Sequence, residues 1–242
     1  MTDSATLLGD AFAPVTSAIG FLRAPLDVVV GGLTTWRRRI HGAAESKPLD
    51  GGLSANISAL EPLTSGVRPR ELVVATRNPE WTAVFDCGFQ GADPITTVGF
   101  LAQTLQVQGV VVVSIPDVPG GAGRPQRYGA RQFEMFGPLR THFLNYVRTI
   151  SVVRETTRWR FDANGTVQEF EDTEAYKRRK VADRFTPSML VAYADALGLR
   201  PFDEDFFPGP SVLVTNPSFP TADAIVLSLR DAQRRAGIVN IE

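Results

Sequence analysis

Residues 108–115 read QGVVVVSI, an apolar, β-branched run with four consecutive valines. Such a run marks a strand covered on both faces, so the fold is expected to be built around it. Upstream, residues 71–76 (ELVVAT) and 81–87 (WTAVFDC) are two β-rich runs separated by Asn78-Pro79, a turn signal. Asp93-Pro94 then supplies an N-cap and a proline at the first helical position, with Val98, Leu101 and Leu105 as the buried face. Downstream, residues 129–136 alternate Ala130, Gln132, Glu134 and Phe136 against Arg131, Phe133 and Met135, and are expected to return beside the central strand.

Residues 139–153 mix helix and strand signals. Residues 159–171 (WRFDANGTVQEFE) hold Asn164-Gly165 at their centre, the strongest short hairpin cue; a two-residue turn places Phe161 opposite Gln168 and Trp159 opposite Phe170, and a bulged turn shifts that register by one. Helices are predicted over 174–185, 187–197 and 221–236, with a short strand over 211–214. Strands and helices occur in mixed order without repeated βαβ units. The fold class that follows is α+β, a mostly antiparallel sheet of five or six strands with flanking helices, occupying residues 71–242.

The first forty residues carry a different pattern. Leu8, Phe12, Val15, Ile19, Leu22, Leu26, Val29, Leu33, Trp36 and Ile40 follow one another at alternating steps of four and three. That heptad spacing predicts a narrow apolar stripe along a helical pair, 4–22 and 25–40, the second opened by Pro25. Residues 1–41 therefore read as a docking or oligomerisation segment that binds a protein partner or a second copy through residues 8–40. Packing on the chain's own core, or on a membrane surface through Arg37, Arg38 and Arg39, are the other readings. Residues 42–70 hold Gly51-Gly52, Pro48, Pro62, Pro69 and several serines without periodicity, and read as a flexible linker.

Across all 242 residues, 25 basic side chains face 26 acidic ones, a net charge of −1 that argues against an electrostatic grip on nucleic acid or on anionic membrane. Cys87, His41 and His142 are the only cysteine and histidines, which excludes an intrachain disulfide and any thiolate- or histidine-rich metal site. The N-terminus lacks a basic n-region and the longest apolar stretch, 11–36, is broken by charges and prolines. A signal peptide and a membrane span are therefore not expected, and the expected home is the cytoplasm.

Few residues invite chemistry. Residues 119–131 (PGGAGRPQRYGAR) lack the spacing of a phosphate loop, although Arg124, Arg127 and Arg131 suit an acidic partner. Asp203, Glu204 and Asp205 form the densest carboxylate group, and with Asp86 or Asp93 they would serve a metal-dependent hydrolase. Their neighbours Phe202, Phe206 and Phe207 read instead as anchors of a surface loop whose acids are solvated. His142 is the one histidine base available beyond the N-terminal segment, and Ser114 and Cys87 lack the motif of a nucleophile. The basic run 177–180 (KRRK) reads as a solvated helix face.

Residues 79–94 (PEWTAVFDCGFQGADP) and 127–138 (RYGARQFEMFGP) resemble a set of uncharacterised actinobacterial proteins, over about residues 71–205. The resemblance implies a recurring module and assigns no catalytic residue. The expectation is a non-enzymatic interaction module, without cofactor or metal, acting in a larger assembly or as an immunity-type inhibitor. Asp203–Asp205 and Arg124–Arg131 are its candidate contact sites beside the N-terminal stripe; a hydrolase and a peripheral membrane protein are the alternatives.

Overall fold

The computed structural model describes residues 5–89, 94–121, 123–217 and 223–239. Its strands are β1 (Ala18–Leu22), β2 (Glu45–Leu49), β3 (Leu63–Thr64), β4 (Arg70–Ala75), β5 (Thr82–Asp86), β6 (Gly109–Ile115), β7 (Ala130–Phe136), β8 (Tyr146–Arg154), β9 (Trp159–Gly165), β10 (Ser211–Thr215) and β11 (Val226–Leu227). The helices are α1 (Leu26–His41), α2 (Leu53–Ser58), α3 (Ile95–Thr104), α4 (Pro187–Asp195) and α5 (Leu229–Arg235). Nine strands form one antiparallel sheet in the order β2-β10-β4-β5-β1-β6-β7-β8-β9, and β3 pairs with β11 in a small ribbon. The α+β class and the antiparallel sheet stand as expected, but the sheet is larger.

The expected central strand, β6, pairs with β1 on one side and β7 on the other. Its valines alternate: Val110 and Val112 join the core on one face, Val111 and Val113 the core on the other. The first face carries Ile19, Phe21, Phe85, Phe133 and Ile150, and is covered by α2, α4, α5 and the segment around Phe206 and Phe207. The second face carries Leu22, Val73, Val84 and Phe136, and is covered by α1 and α3.

The N-terminal stripe is the main correction. Residues 18–22 are not helical; they form β1, inserted between β5 and β6. The stripe divides between the two faces of the sheet: Leu8, Phe12, Val15 and Ile19 pack on one, Leu22, Leu26, Val29, Leu33 and Trp36 on the other. Only Ile40 is left exposed, at 47%. The reason is visible in the run AIGFL, which is apolar at every position and so suits a strand buried on both faces; the heptad reading used Ile19 and Leu22 and passed over Ala18 and Phe21. The second half of the stripe is helical as predicted, ending where Gly42 adopts φ +81° and its N–H caps the Arg38 carbonyl.

The expected linker is also structured. Residues 45–49 (ESKPL) form the edge strand β2 against β10, with Pro48 in the position an edge tolerates, and α2 follows. The predicted hairpin about Asn164-Gly165 is replaced by another. β9 pairs with β8, closes through residues 155–158, and ends at Gly165, whose φ of +91° and close approach to the Val147 carbonyl leave no room for a Cβ. Phe170 therefore packs on the core beside Phe133 rather than opposite Trp159. The predicted helix over 174–185 is two short turns, and that over 221–236 shortens to α5, its first residues lying outside those described, as does the Asp93 cap of α3. The 187–197 helix appears as α4, with the Thr186 side chain accepting a hydrogen bond from the Met189 N–H.

β5 and β6 run parallel on either side of β1, and α3 crosses above β1 to join them. The crossing is tight. A Cβ on Gly20 would lie 2.5 Å from Val98 Cγ2, and one on Gly109 2.6 Å from Val98 Cγ1. Gly20→Val is expected to destabilise the protein by about 1–3 kcal/mol through overpacking, read as a lower denaturant midpoint at unchanged slope. A variant as stable as its parent would mean that α3 is free to lift off the sheet.

Candidate functional site

The residues singled out from the sequence are mostly structural. Arg127 is buried and donates to Asp10 Oδ2 at 2.7 Å, tying the N-terminal segment to the 119–129 loop. Arg131 donates to the carbonyls of Phe185 (2.7 Å) and Ala182 (3.0 Å), and burial lowers its pKa. Arg124 closes a tight turn through its backbone pairing with Gly121. None of these arrangements reserves the two partnered guanidiniums for an acidic protein. Asp203 caps a short turn by accepting from the Asp205 N–H at 3.1 Å and pairs with Arg200 at 2.8 Å, while Phe206 and Phe207 beside it are buried. The loop is thus anchored by its phenylalanines, with Glu204 and Asp205 exposed.

Asp86 is on the other side of the sheet. It follows Phe85, and shares with Glu71, its cross-strand neighbour, the face covered by α1 and α3. The acids of the hydrolase reading therefore do not converge; Asp93 lies outside the described residues. Among those described, no group of three or more histidine, cysteine or acidic residues is arranged to hold a metal ion. Cys87 is buried against Thr64 with its thiol pKa raised by burial, and the Ser114 hydroxyl donates to the Ala5 carbonyl at 2.6 Å.

Glu71 and Asp86 each have an arginine. Arg37 of α1 meets Glu71 through two bonds, Nε to Oε2 at 2.7 Å and Nη2 to Oε1 at 2.6 Å, and Thr97 of α3 donates to the same carboxylate at 2.7 Å. The Arg37 guanidinium also lies 4.1 Å from the centroid of the Trp36 ring. Arg37 is thereby withdrawn from the surface on which a membrane reading would need it. No helix among the described residues is long and apolar enough to cross a membrane. Arg68 stands 2.9 Å from Asp86 Oδ1, over Gly88, where a Cβ would collide with its guanidinium.

Burial pushes the Asp86 carboxyl up to about 6 from 3.8, against the opposing pull of Arg68 and the Gly88 N–H. A raised folded-state pKa means that the protonated form is favoured by folding. Its stabilising contribution is full below about pH 4 and is lost as pH rises through 6, by about 3 kcal/mol. Asp86→Asn is expected to flatten that decline between pH 4 and 6 in a series of denaturation midpoints. Parallel pH profiles for parent and variant would contradict it.

A further surface feature lies on the same face as α1 and α3, where those helices do not reach. α3 packs over β1, β6 and the Phe136 end of β7, leaving the rest of β7, β8 and β9 uncovered. Register places polar residues there in rungs: Glu134, Thr149 and Asn164 opposite one another, then Gln132, Ser151 and Asp162. The β7–β8 loop, residues 137–145, rises beside them. Asn145 holds its base, donating from Nδ2 to the carbonyls of Gly99 (2.9 Å) and Gly137 (2.8 Å). A tight turn holds its tip, with the Thr141 N–H on the Leu144 carbonyl at 2.7 Å and Leu144 at φ +52°.

This ordered loop turns apolar side chains outward: Leu139 is 71% exposed, Phe143 61% and Leu144 55%. Phe143 stacks on Tyr146 at 5.4 Å between centroids, and Tyr146 in turn contacts Phe136. Between loop and sheet is a cavity of about 560 Å³, floored by Glu134, Thr149, Ser151 and Asn164 and walled by Phe143 and Tyr146. His142 also lines it. No hydrogen bond joins His142 to Ser151 or Thr149, so no nucleophile–base pair is assembled.

This place is poorly legible in the sequence: His142 and the alternation of β7 can be seen there, but the mixed signals of residues 139–153 hide both the strand and the loop. Compared with known protein families, with curated proteins and with solved structures, the chain finds no match.

Proposed function

We propose that the protein is a non-enzymatic interaction module that receives a protein partner on the open face of β7, β8 and β9 and on the 137–145 loop. One observation carries the reading: Leu139, Phe143 and Leu144 are all more than half exposed on a loop fixed by its own hydrogen bonds. Solvent gives no reason to hold three large apolar side chains outward in a defined geometry, whereas a partner surface does. The polar rungs beside them suit the rim of such an interface. Of the acids a hydrolase would require, Asp86 is paired with Arg68 and Asp203 with Arg200, and the two lie on opposite faces of the sheet.

The test compares the tagged full chain with a Leu139→Ser/Phe143→Ser/Leu144→Ser variant in extracts of its own organism, by native size separation with light scattering. The parent is expected in a complex heavier than its own 26.3 kDa and the variant at the mass of the free chain. Equal masses for the two, with both folded, would contradict the reading.

A further inference from the structure

We infer that a second cavity, at the end of the sheet where β1 begins and β6 ends, binds a monocarboxylic acid with an apolar body. It measures about 530 Å³, a size that takes a small-molecule ligand, and shares no lining residue with the cavity walled by Phe143. Residues 14–18, Phe89, the end of β6, residues 126–132 and residues 235–238 meet around it. Register sets its floor. Ala18, Val113 and Gln132 stand on one rung across β1, β6 and β7, and Ile115 and Ala130 on the next rung of the same face. The alanines leave the room, while Val113 and Ile115 make the floor apolar.

Two arginines line the cavity, and among the described residues no acidic one does. Arg127 is already matched, since its Nη1 donates to Asp10 Oδ2 at 2.7 Å. Arg235, at the end of α5, forms no ion pair or hydrogen bond with a described residue. Its guanidinium stands 5.6 Å from the centroid of the Phe89 ring, which directs it. One unmatched cation beside an apolar floor suits a single negative charge on an apolar body, and a carboxylate fits the guanidinium fork through two parallel hydrogen bonds. The side chains of Ser17, Gln126, Tyr128 and Gln132 form no hydrogen bond with a described residue, so they can donate to the remaining carboxylate lone pairs. A phosphate monoester, with up to two charges, finds no second unmatched cation here. An amine meets Arg235 with like charge, and a neutral ligand gains nothing from it.

The probes are octanoate, octan-1-ol, octylamine and octyl phosphate, titrated calorimetrically into the full chain below their micelle-forming concentrations. The same titrations are made on Arg235→Gln and Ala130→Leu proteins, with thermal unfolding confirming that both are folded. Octanoate is expected to bind once per chain, about tenfold or more tighter than the other three. Arg235→Gln, at an exposed position, is expected to abolish that advantage over the alcohol. Ala130→Leu, which fills the floor, is expected to weaken acid and alcohol alike. Should Ala130→Leu fail to fold, the acid and alcohol titrations of the parent and Arg235→Gln decide alone. The triple serine variant of the 137–145 loop is expected to bind octanoate as the parent does, whatever becomes of the docking reading. Absence of saturable octanoate binding, equal binding of the alcohol or the phosphate, or an acid preference that survives Arg235→Gln would overturn the site. Loss of octanoate binding in the folded triple variant would also overturn it, by moving the ligand to the other cavity.

Discussion

A chain beginning at Val67 is expected not to fold. Such a truncation removes β1 from between β5 and β6, leaving β6 without the partner it has along five residues and β5 without the one it has along three. It also removes Val15, Ile19, Phe21, Leu22, Val29 and Leu33, all essentially inaccessible to solvent. Burying large apolar side chains of this kind stabilises a protein by about 1.5–3 kcal/mol each. Their combined loss, about 9–18 kcal/mol, equals or exceeds the entire stability of an ordinary domain. The 67–242 chain is expected in the insoluble fraction, or, if refolded, without the dispersed amide spectrum of a packed core. A soluble, cooperatively unfolding 67–242 monomer would show that the N-terminal residues are an attachment rather than the middle of the sheet.

The second large effect is expected at the Arg37–Glu71 pair. Glu71 is 1% exposed and Arg37 6%, and the two join α1 to the sheet beneath it, with Thr97 bringing in α3. Glu71→Ala leaves the buried guanidinium with Thr97 and the Trp36 ring beside it but without its carboxylate partner. An uncompensated buried charge of this kind costs about 3–5 kcal/mol. Replacing both partners by apolar side chains of similar volume, Arg37→Met with Glu71→Leu, is expected to recover most of that loss, because the desolvation penalty disappears with the charges. Denaturant titration of the two single variants and the double variant measures it. A Glu71→Ala loss below about 1 kcal/mol would mean that water reaches the pair and that α1 is held by its apolar face alone.

These two expectations also show what was legible in the sequence. The valine run of β6, the strands on either side of Asn78-Pro79, the Thr186-capped helix and the antiparallel α+β class could all be read, because each rests on a local signal that tertiary structure reinforced. β1 could not. A five-residue strand buried on both faces is apolar throughout, and such a run satisfies a helical period as easily as a strand. β2 failed for the opposite reason: four of its five side chains are exposed, so the edge strand carries no apolar pattern at all.

Asn164-Gly165 supplied the conformational freedom of a turn, but here a positive φ ends a strand instead of reversing it. Arg37 sat in a run of three arginines whose sequence cannot say which faces inward. Helical phase decides it, since Arg37 lies four residues after Leu33, on the buried side of α1. The candidate site was the least legible part. Three apolar residues in a loop have no periodicity to read, and their meaning depends on exposure and on a cavity whose floor comes from three strands.

The central claim, that the loop beside the open sheet face meets a partner protein, is tested most directly by site-specific photo-crosslinking in living cells of the native organism. A benzophenone side chain would replace Phe143 in one full-length chain and Lys47, on the opposite edge of the sheet, in another. The expected result is a single dominant protein adduct from position 143, mapped by mass spectrometry to a segment of the partner, with none from position 47. Adducts from position 47 alone, or the same diffuse labelling from both, would contradict it.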